Sequence, residues 1–296
     1  MRHQRTSLLT LSMVLSLFVG KLFAQTTLSP DIVKETFIYA IKGSDTLRMD
    51  VMRSNKFGDQ TQPPLLFLYG GGFTGGDRAG AGYISYFNRM ASEGLTVISI
   101  DYSTTLNVSF NVFAMASSLS PAINAAVEDL VTATAYTIEN RTALKIDTSL
   151  FMISGSSAGA VTVLQADWYL SNRSGTTSLL PTNFKYKGVI AFAGGILYGL
   201  SGIQYGTPPA PTLFFHGNAD PIVPYGRLSV LFVAFDGSDG LSGRFASNGY
   251  PYHFVTVNGG NHDVSWTVMT TEQDRIIAFI QSFVIDKNSF QTEETT

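Results

Sequence analysis

The chain has 296 residues, 45% of them hydrophobic and 14% charged, with no cysteine and a net charge of −3. That is core enough for one large α/β domain, and it excludes disulfides, thiolate nucleophiles and cysteine metal sites. Nineteen basic against 22 acidic residues, with no run of like charge, exclude a nucleic-acid-binding surface.

Taken in chain order, the first 24 residues stand apart. Arg2 and Arg5 precede the apolar run Leu8–Phe23, interrupted by Ser12 and Ser16, and Ala24 offers a small exit residue. This is the pattern of a secretory signal peptide cleaved after Ala24. An apolar run of about 15 residues is short for a membrane span, which needs roughly 20. Loss of the three cations Arg2, Arg5 and Lys21 would take the net charge to −6. No comparable run follows, so the expectation is a secreted or periplasmic chain without a membrane span. Residues 25–290 form a single catalytic domain in this reading, and 291–296 a flexible polar tail. Asn107, Asn140 and Asn172 open tripeptides of the glycan-acceptor type.

Phe37–Ile41 and Leu47–Arg53 alternate in polarity around Gly43-Ser44, which predicts an antiparallel pair. Then come Leu65–Leu68, Thr96–Ile100, Leu150–Ile153, Gly188–Phe192, Thr212–Phe215 and Tyr252–Val257. Each is short and nearly continuously apolar, as strands buried on both faces of a parallel sheet are. Helical spacing marks Pro121–Thr142, with Pro121 suited to a first turn, and also Ala158–Leu170 and Glu272–Ile285. The predicted class is therefore α/β, a mostly parallel sheet with helices on both faces and antiparallel strands at the N-terminal edge. Ligands in such sheets sit beyond the carboxyl ends of the strands.

Those ends carry the chemistry. After Leu65–Leu68 comes Tyr69-Gly70-Gly71-Gly72-Phe73, and after Ile153 comes Gly155-Ser156-Ser157-Ala158-Gly159. After Thr212–Phe215 comes His216-Gly217-Asn218-Ala219-Asp220, and after Tyr252–Val257 comes Gly259-Gly260-Asn261-His262. A serine hydroxyl attacks only as its proton leaves. A neutral imidazole can take that proton, and a carboxylate fixes the imidazole's tautomer. Flanking glycines let strand and helix meet closely around an exposed serine, and backbone N–H groups of a glycine run can hold developing negative charge.

The order Gly-Gly-Gly-Phe, Gly-x-Ser-x-Gly, His-Gly-x-x-Asp-x-x-Val-Pro and Gly-x-His resembles the α/β-hydrolase superfamily, specifically its esterase and lipase (carboxylesterase) branch with a glycine-triplet oxyanion loop. The resemblance spans roughly 65 to 283. It implies Ser157 as nucleophile, Asp220 as acid and His262 as base, with oxyanion donors on the backbone N–H groups of Gly71, Gly72 and Ala158. No cofactor is expected, and no metal site either, because the four histidines are sparse and no His-x-x-x-His spacing occurs. Two departures stand out: Tyr69 occupies the place where many members have histidine, and Ser156 replaces the acidic or histidine residue often found before the nucleophile.

The rest of the chain offers rivals. His3 belongs to the leader, His216 precedes the acid loop and His253 lies inside a strand, leaving His262 in a glycine-rich loop. Asp101, Asp236 and Asp263 compete with Asp220; Asp101 is expected under the glycine loop and Asp236 in a surface stretch. Phe73, with Phe110 and Phe113 from the apolar irregular insertion Ser103–Ser120, is expected to bind substrate, with Ile196–Tyr205 as a second wall. The expected activity is hydrolysis of short-chain or aromatic acyl esters, small or attached to polysaccharide. The alternatives are a lipase, a peptidase, or a silent member of the fold that binds a ligand or partner.

Overall fold

The computed structural model describes residues 27–106, 112–230 and 232–296, with 112–117 described as backbone alone. The leader 1–24, Phe110 and the Phe113 side chain lie outside the described residues. In chain order come β1 (Ile32–Lys42), β2 (Asp45–Ser54), β3 (Pro64–Leu68), α1 (Ile84–Ser92), β4 (Thr96–Ile100), α2 (Val112–Glu139), β5 (Met152–Ser156) and α3 (Ala158–Ser171). Then follow β6 (Gly188–Phe192), β7 (Gly195–Gly199), β8 (Thr212–Gly217), β9 (Arg227–Val230), β10 (Val233–Gly237) and α4 (Ser238–Asn248). The chain closes with β11 (Tyr252–Val257), α5 (Val264–Thr271), α6 (Gln273–Phe279, continued by the π-helical turn Ile280–Ile285) and β12 (Gln291–Thr295).

Among the described residues nine strands form one sheet in the order β1-β2-β4-β3-β5-β6-β8-β11-β12. Only the β1–β2 and β2–β4 pairs are antiparallel; every other neighbour is parallel. All residues of β3, β4, β5, β6 and β8 are buried. Helices cover both faces of these strands, which is why their sequences are continuous apolar runs rather than alternating ones. Helices α1, α5 and α6 contact one another, and α2 packs against α3. The parallel register brings the residues that follow β3, β5, β8 and β11 to one edge of the sheet.

Several elements depart from the sequence expectation. Helix α2 starts at Val112 rather than Pro121 and carries the proline internally. The expected irregular insertion is thus helical from Val112 onward, at the cost of one backbone hydrogen bond. Residues 291–295, expected as a frayed tail, pair in parallel with β11. Their polarity suits an edge strand, held by Tyr252 donating to Glu293 and by His253 and Arg275 at Glu294. Of Ile196–Tyr205, expected to wall a pocket, the first residues instead belong to β7, in a separate three-stranded sheet, β7-β10-β9. In that sheet Asp236, expected at the surface, is buried and accepts from Tyr198 and Arg244. Pairing offsets the cost of burying its charge.

Candidate active site

Ser157 closes β5 and opens α3 with φ 51° and ψ −115°. A non-glycine residue in this region stores about 1–3 kcal/mol of strain. Surrounding bonds hold it there: Ser157 N–H donates to Phe192 O at 2.8 Å, and Val161 N–H donates to Ser157 O at 2.9 Å. The two glycines of the motif are close-approach residues. A Cβ on Gly159 would lie 2.2 Å from Leu68 O, and one on Gly155 would lie 2.4 Å from Gly159 C. Helix α3 can therefore start hard against β3 and β5, with the hydroxyl standing clear of both.

Across the sheet edge, His262 Nδ1 lies 2.7 Å from Asp220 Oδ2, and His262 Nε2 lies 2.8 Å from Ser157 Oγ. A carboxylate only accepts, so Nδ1–H donates to Asp220 and Nε2 is left to accept the Ser157 hydroxyl. The Asp220 side chain is fully buried, whereas that of His262 is 18% exposed. Asp220 Oδ1 accepts the N–H groups of Ile222 and Val223 at 2.8 and 3.0 Å. Burial pushes the Asp220 carboxyl up, but hydrogen bonds from His216, His262, Ile222 and Val223 together hold it well below the usual carboxylate range. The group is a fixed anion under the imidazole.

The glycine loop faces this trio. Gly71 has φ 143°, and a Cβ there would lie 2.0 Å from Gly75 O, so only glycine fits. Among the described residues the N–H groups of Gly71 and Gly72 have no acceptor. Ala158 N–H stands in the first turn of α3, where helix donors point outward. Tyrosines hold the loop: Tyr83 OH accepts Gly70 N–H at 3.0 Å, and Tyr102 OH donates to Tyr69 O at 2.9 Å. The Tyr69 ring packs on Tyr102 at 4.5 Å, so an aromatic pair occupies the place where histidine is usual. Arg78 bridges Asp50 and Asp101.

A cavity of about 480 Å³ opens over Ser157, lined by Gly70–Gly72, Tyr83, Ile222, His262 and Trp266 among others. Among the described residues no lysine, arginine or carboxylate lines it. Phe73, expected here, is 3% exposed and turned under the loop against Tyr102, a correction to its substrate-binding assignment. Its positive φ of 61° swings the side chain away from the cavity. Among the described residues no cluster of histidines and carboxylates could hold a metal ion.

The BD-FAE family model matches residues 49–196, half of the chain. The chain belongs to the BD-FAE family. This is an esterase family of the α/β-hydrolase type, and the chain is an esterase-type hydrolase. The apo structure of Thermogutta terrifontis esterase 2 superposes with a TM-score of 0.61 at 15% identity, over 88% of this chain and 96% of that one. The same esterase phosphorylated by paraoxon gives 0.60 at 16%, over 85% and 94%. An esterase of the fungus Rhizomucor miehei gives 0.59 at 17%, over 88% and 86%. At such identities the likeness is one of fold. No curated protein matches the sequence.

The BD-FAE fold also brings in residues that sequence reading had left aside. His216 is fully buried, 3.4 Å from Asp220 Oδ2, with Nε2 3.2 Å from Val223 O and Nδ1 2.8 Å from Ser238 Oγ. Both contacts at Nε2 are acceptors, so Nε2–H donates and Nδ1 accepts from the serine. Its position four residues before Asp220, at the end of β8, was the available signal. Ser156 Oγ donates to Ser265 O at 2.8 Å, tying the Ser157 turn to the helix that follows His262. Trp266, four residues after His262, reaches the cavity because α5 begins between them.

Proposed function

We propose that the chain is a secreted serine esterase that cleaves short-chain or aromatic acyl esters through an acyl-enzyme. Ser157 is the nucleophile, His262 the general base and then acid, and Asp220 the anion that fixes the imidazole. The N–H groups of Gly71, Gly72 and Ala158 receive the carbonyl oxygen as it becomes an oxyanion, helped by the positive end of α3. The observation that carries this reading is the continuous hydrogen-bonded path from Ser157 through His262 to Asp220, ending on a buried carboxylate.

In the first step the serine oxygen attacks the acyl carbon while its proton passes to His262 Nε2. Collapse of the tetrahedral intermediate expels the alkoxide, which takes that proton and leaves as alcohol. Water repeats the sequence and releases the acid. Among the described residues no lysine, arginine or carboxylate lines this small cavity, which supports uncharged acyl groups of modest size. The purified protein is expected to hydrolyse p-nitrophenyl acetate and butyrate, with a burst of p-nitrophenol where deacylation is slower, and to turn over the palmitate ester poorly. Palmitate turnover at the butyrate rate would rule out the short-chain reading. Export removes residues 1–24, so N-terminal sequencing of the mature protein should begin at Gln25.

Tyr83 gives a second check. Its hydroxyl is the acceptor for Gly70 N–H, the residue before the proposed oxyanion donors. Tyr83→Phe keeps the ring against Phe67 but leaves that N–H unpaired. A misplaced loop acts on the transition state more than on the bound ester. The expected result is a fall in kcat of about tenfold or more, equal for acetate and butyrate, with KM little changed. A loss that depends on acyl length would make Tyr83 a wall of the acyl pocket instead.

A further inference from the structure

Seven lysines lie among the described residues. Lys34, Lys42 and Lys145 pair with carboxylates. Of the remaining four, which have no side-chain hydrogen bond or ion pair among the described residues, Lys185, Lys187 and Lys287 line one cleft of about 720 Å³. That cleft is larger than the one over Ser157. Arg173 adds a fourth cation, its guanidinium donating to Pro181 O and Phe184 O. Such a gathering is unexpected in a chain of net negative charge, because free lysines on a surface repel one another.

The lining includes one carboxylate, Asp167, which is buried and accepts Ala210 N–H at 3.0 Å. Burial pushes its pKa up to about 7, against the pull of the Ala210 N–H and Lys185, so near neutral pH it carries only part of a negative charge. Pro208, Pro209, Pro211 and Phe184 supply apolar wall. Prolines bring no N–H that would need an acceptor there. The lining takes in Leu150, Lys187, Pro211 and Pro251, residues just before β5, β6, β8 and β11. The cleft therefore opens at the amino ends of these strands, while Ser157 stands at the carboxyl end of β5. The length of β5 separates the two, about 15 Å at roughly 3.3 Å per residue.

We propose that this cleft is a second binding site, for an organic carboxylate with an apolar body. The head group would meet the three lysines, and a ring or short chain would lie along the prolines and Phe184. A bare inorganic anion would satisfy the charges but leave the apolar wall wet, so the arrangement favours a carboxylate carrying hydrocarbon. Ester hydrolysis releases molecules of this class; that link rests on the function proposed above, whereas the binding does not.

Isothermal titration of the mature protein with benzoate, and separately with inorganic phosphate, tests the assignment. Benzoate should bind saturably to the wild type and to Ser157→Ala, and phosphate more weakly. The exposed pair Lys185→Ala and Lys287→Ala, combined in one variant, should weaken benzoate about tenfold, the sum of two screened charge contacts. Thermal melting of that variant should match the wild type. Unchanged benzoate affinity in it would mean the ligand sits elsewhere, the Ser157 cavity included. Equal binding of phosphate, or no saturable binding of benzoate, would overturn the proposal equally. Hydrolysis by the wild type is read independently of all these outcomes.

Discussion

Ser157→Ala should lower kcat on p-nitrophenyl acetate by about 10⁴- to 10⁶-fold while the protein still folds and melts cooperatively. The residue contributes one oxygen to the path through His262, 2.8 Å from Nε2. Ser156 cannot step in: its hydroxyl is committed to Ser265 O. Ser154 is buried on the strand against Tyr86 OH. The backbone should tolerate the change, because alanine at φ 51° is no more strained than serine, and the bonds to Phe192 O and from Val161 N–H involve only main chain. Loss of activity with an intact melt therefore separates nucleophile from scaffold. Retention of a substantial fraction of wild-type turnover would remove Ser157 from the mechanism, and with it the acyl-enzyme.

Much of this could be read along the chain because buried parallel strands advertise themselves as apolar runs and the chemistry stands one to five residues beyond them. Thr96–Ile100, Gly188–Phe192 and Tyr252–Val257 have the boundaries expected, and α3 begins at Ala158 as expected. What could not be read depends on partners distant in sequence. Asp236 looks like a loop residue until Arg244 and Tyr198 come to it. Gln291–Thr295 is too polar to signal a strand, and becomes one because β11 offers its free edge. Phe73 sits beside the glycine triplet but points into the core, since side-chain direction after a positive φ cannot be inferred from adjacency. The short helix α1 was missed altogether. Tyr86, Phe87, Met90 and Ala91 make its buried face, but nine residues give a periodic signal too brief to stand out.

Asp220→Asn should be nearly as damaging as loss of the serine, by a different route: a fall in kcat of about 10³- to 10⁴-fold with the fold preserved. The amide oxygen can take over Oδ1's bonds from Ile222 and Val223 N–H. That leaves the NH₂ facing His262 Nδ1, which must then accept, moving the imidazole proton to Nε2 where the serine proton has to go. The same NH₂ meets His216 Nε2–H, 3.4 Å from the wild-type Oδ2, so two donors oppose each other in a fully buried place. Acid titration adds an independent signature. The folded-state pKa of Asp220 lies below its ordinary value, so the ionised carboxylate contributes stability that is fully present above about pH 4 and is lost as pH falls toward the folded pKa. Asparagine cannot titrate. The wild-type advantage in melting temperature over the variant should therefore shrink as pH drops from about 5 toward 2. A difference that stays constant across that range would mean the carboxylate is not held as an anion by its four donors, and the imidazole would lose the partner that orients it.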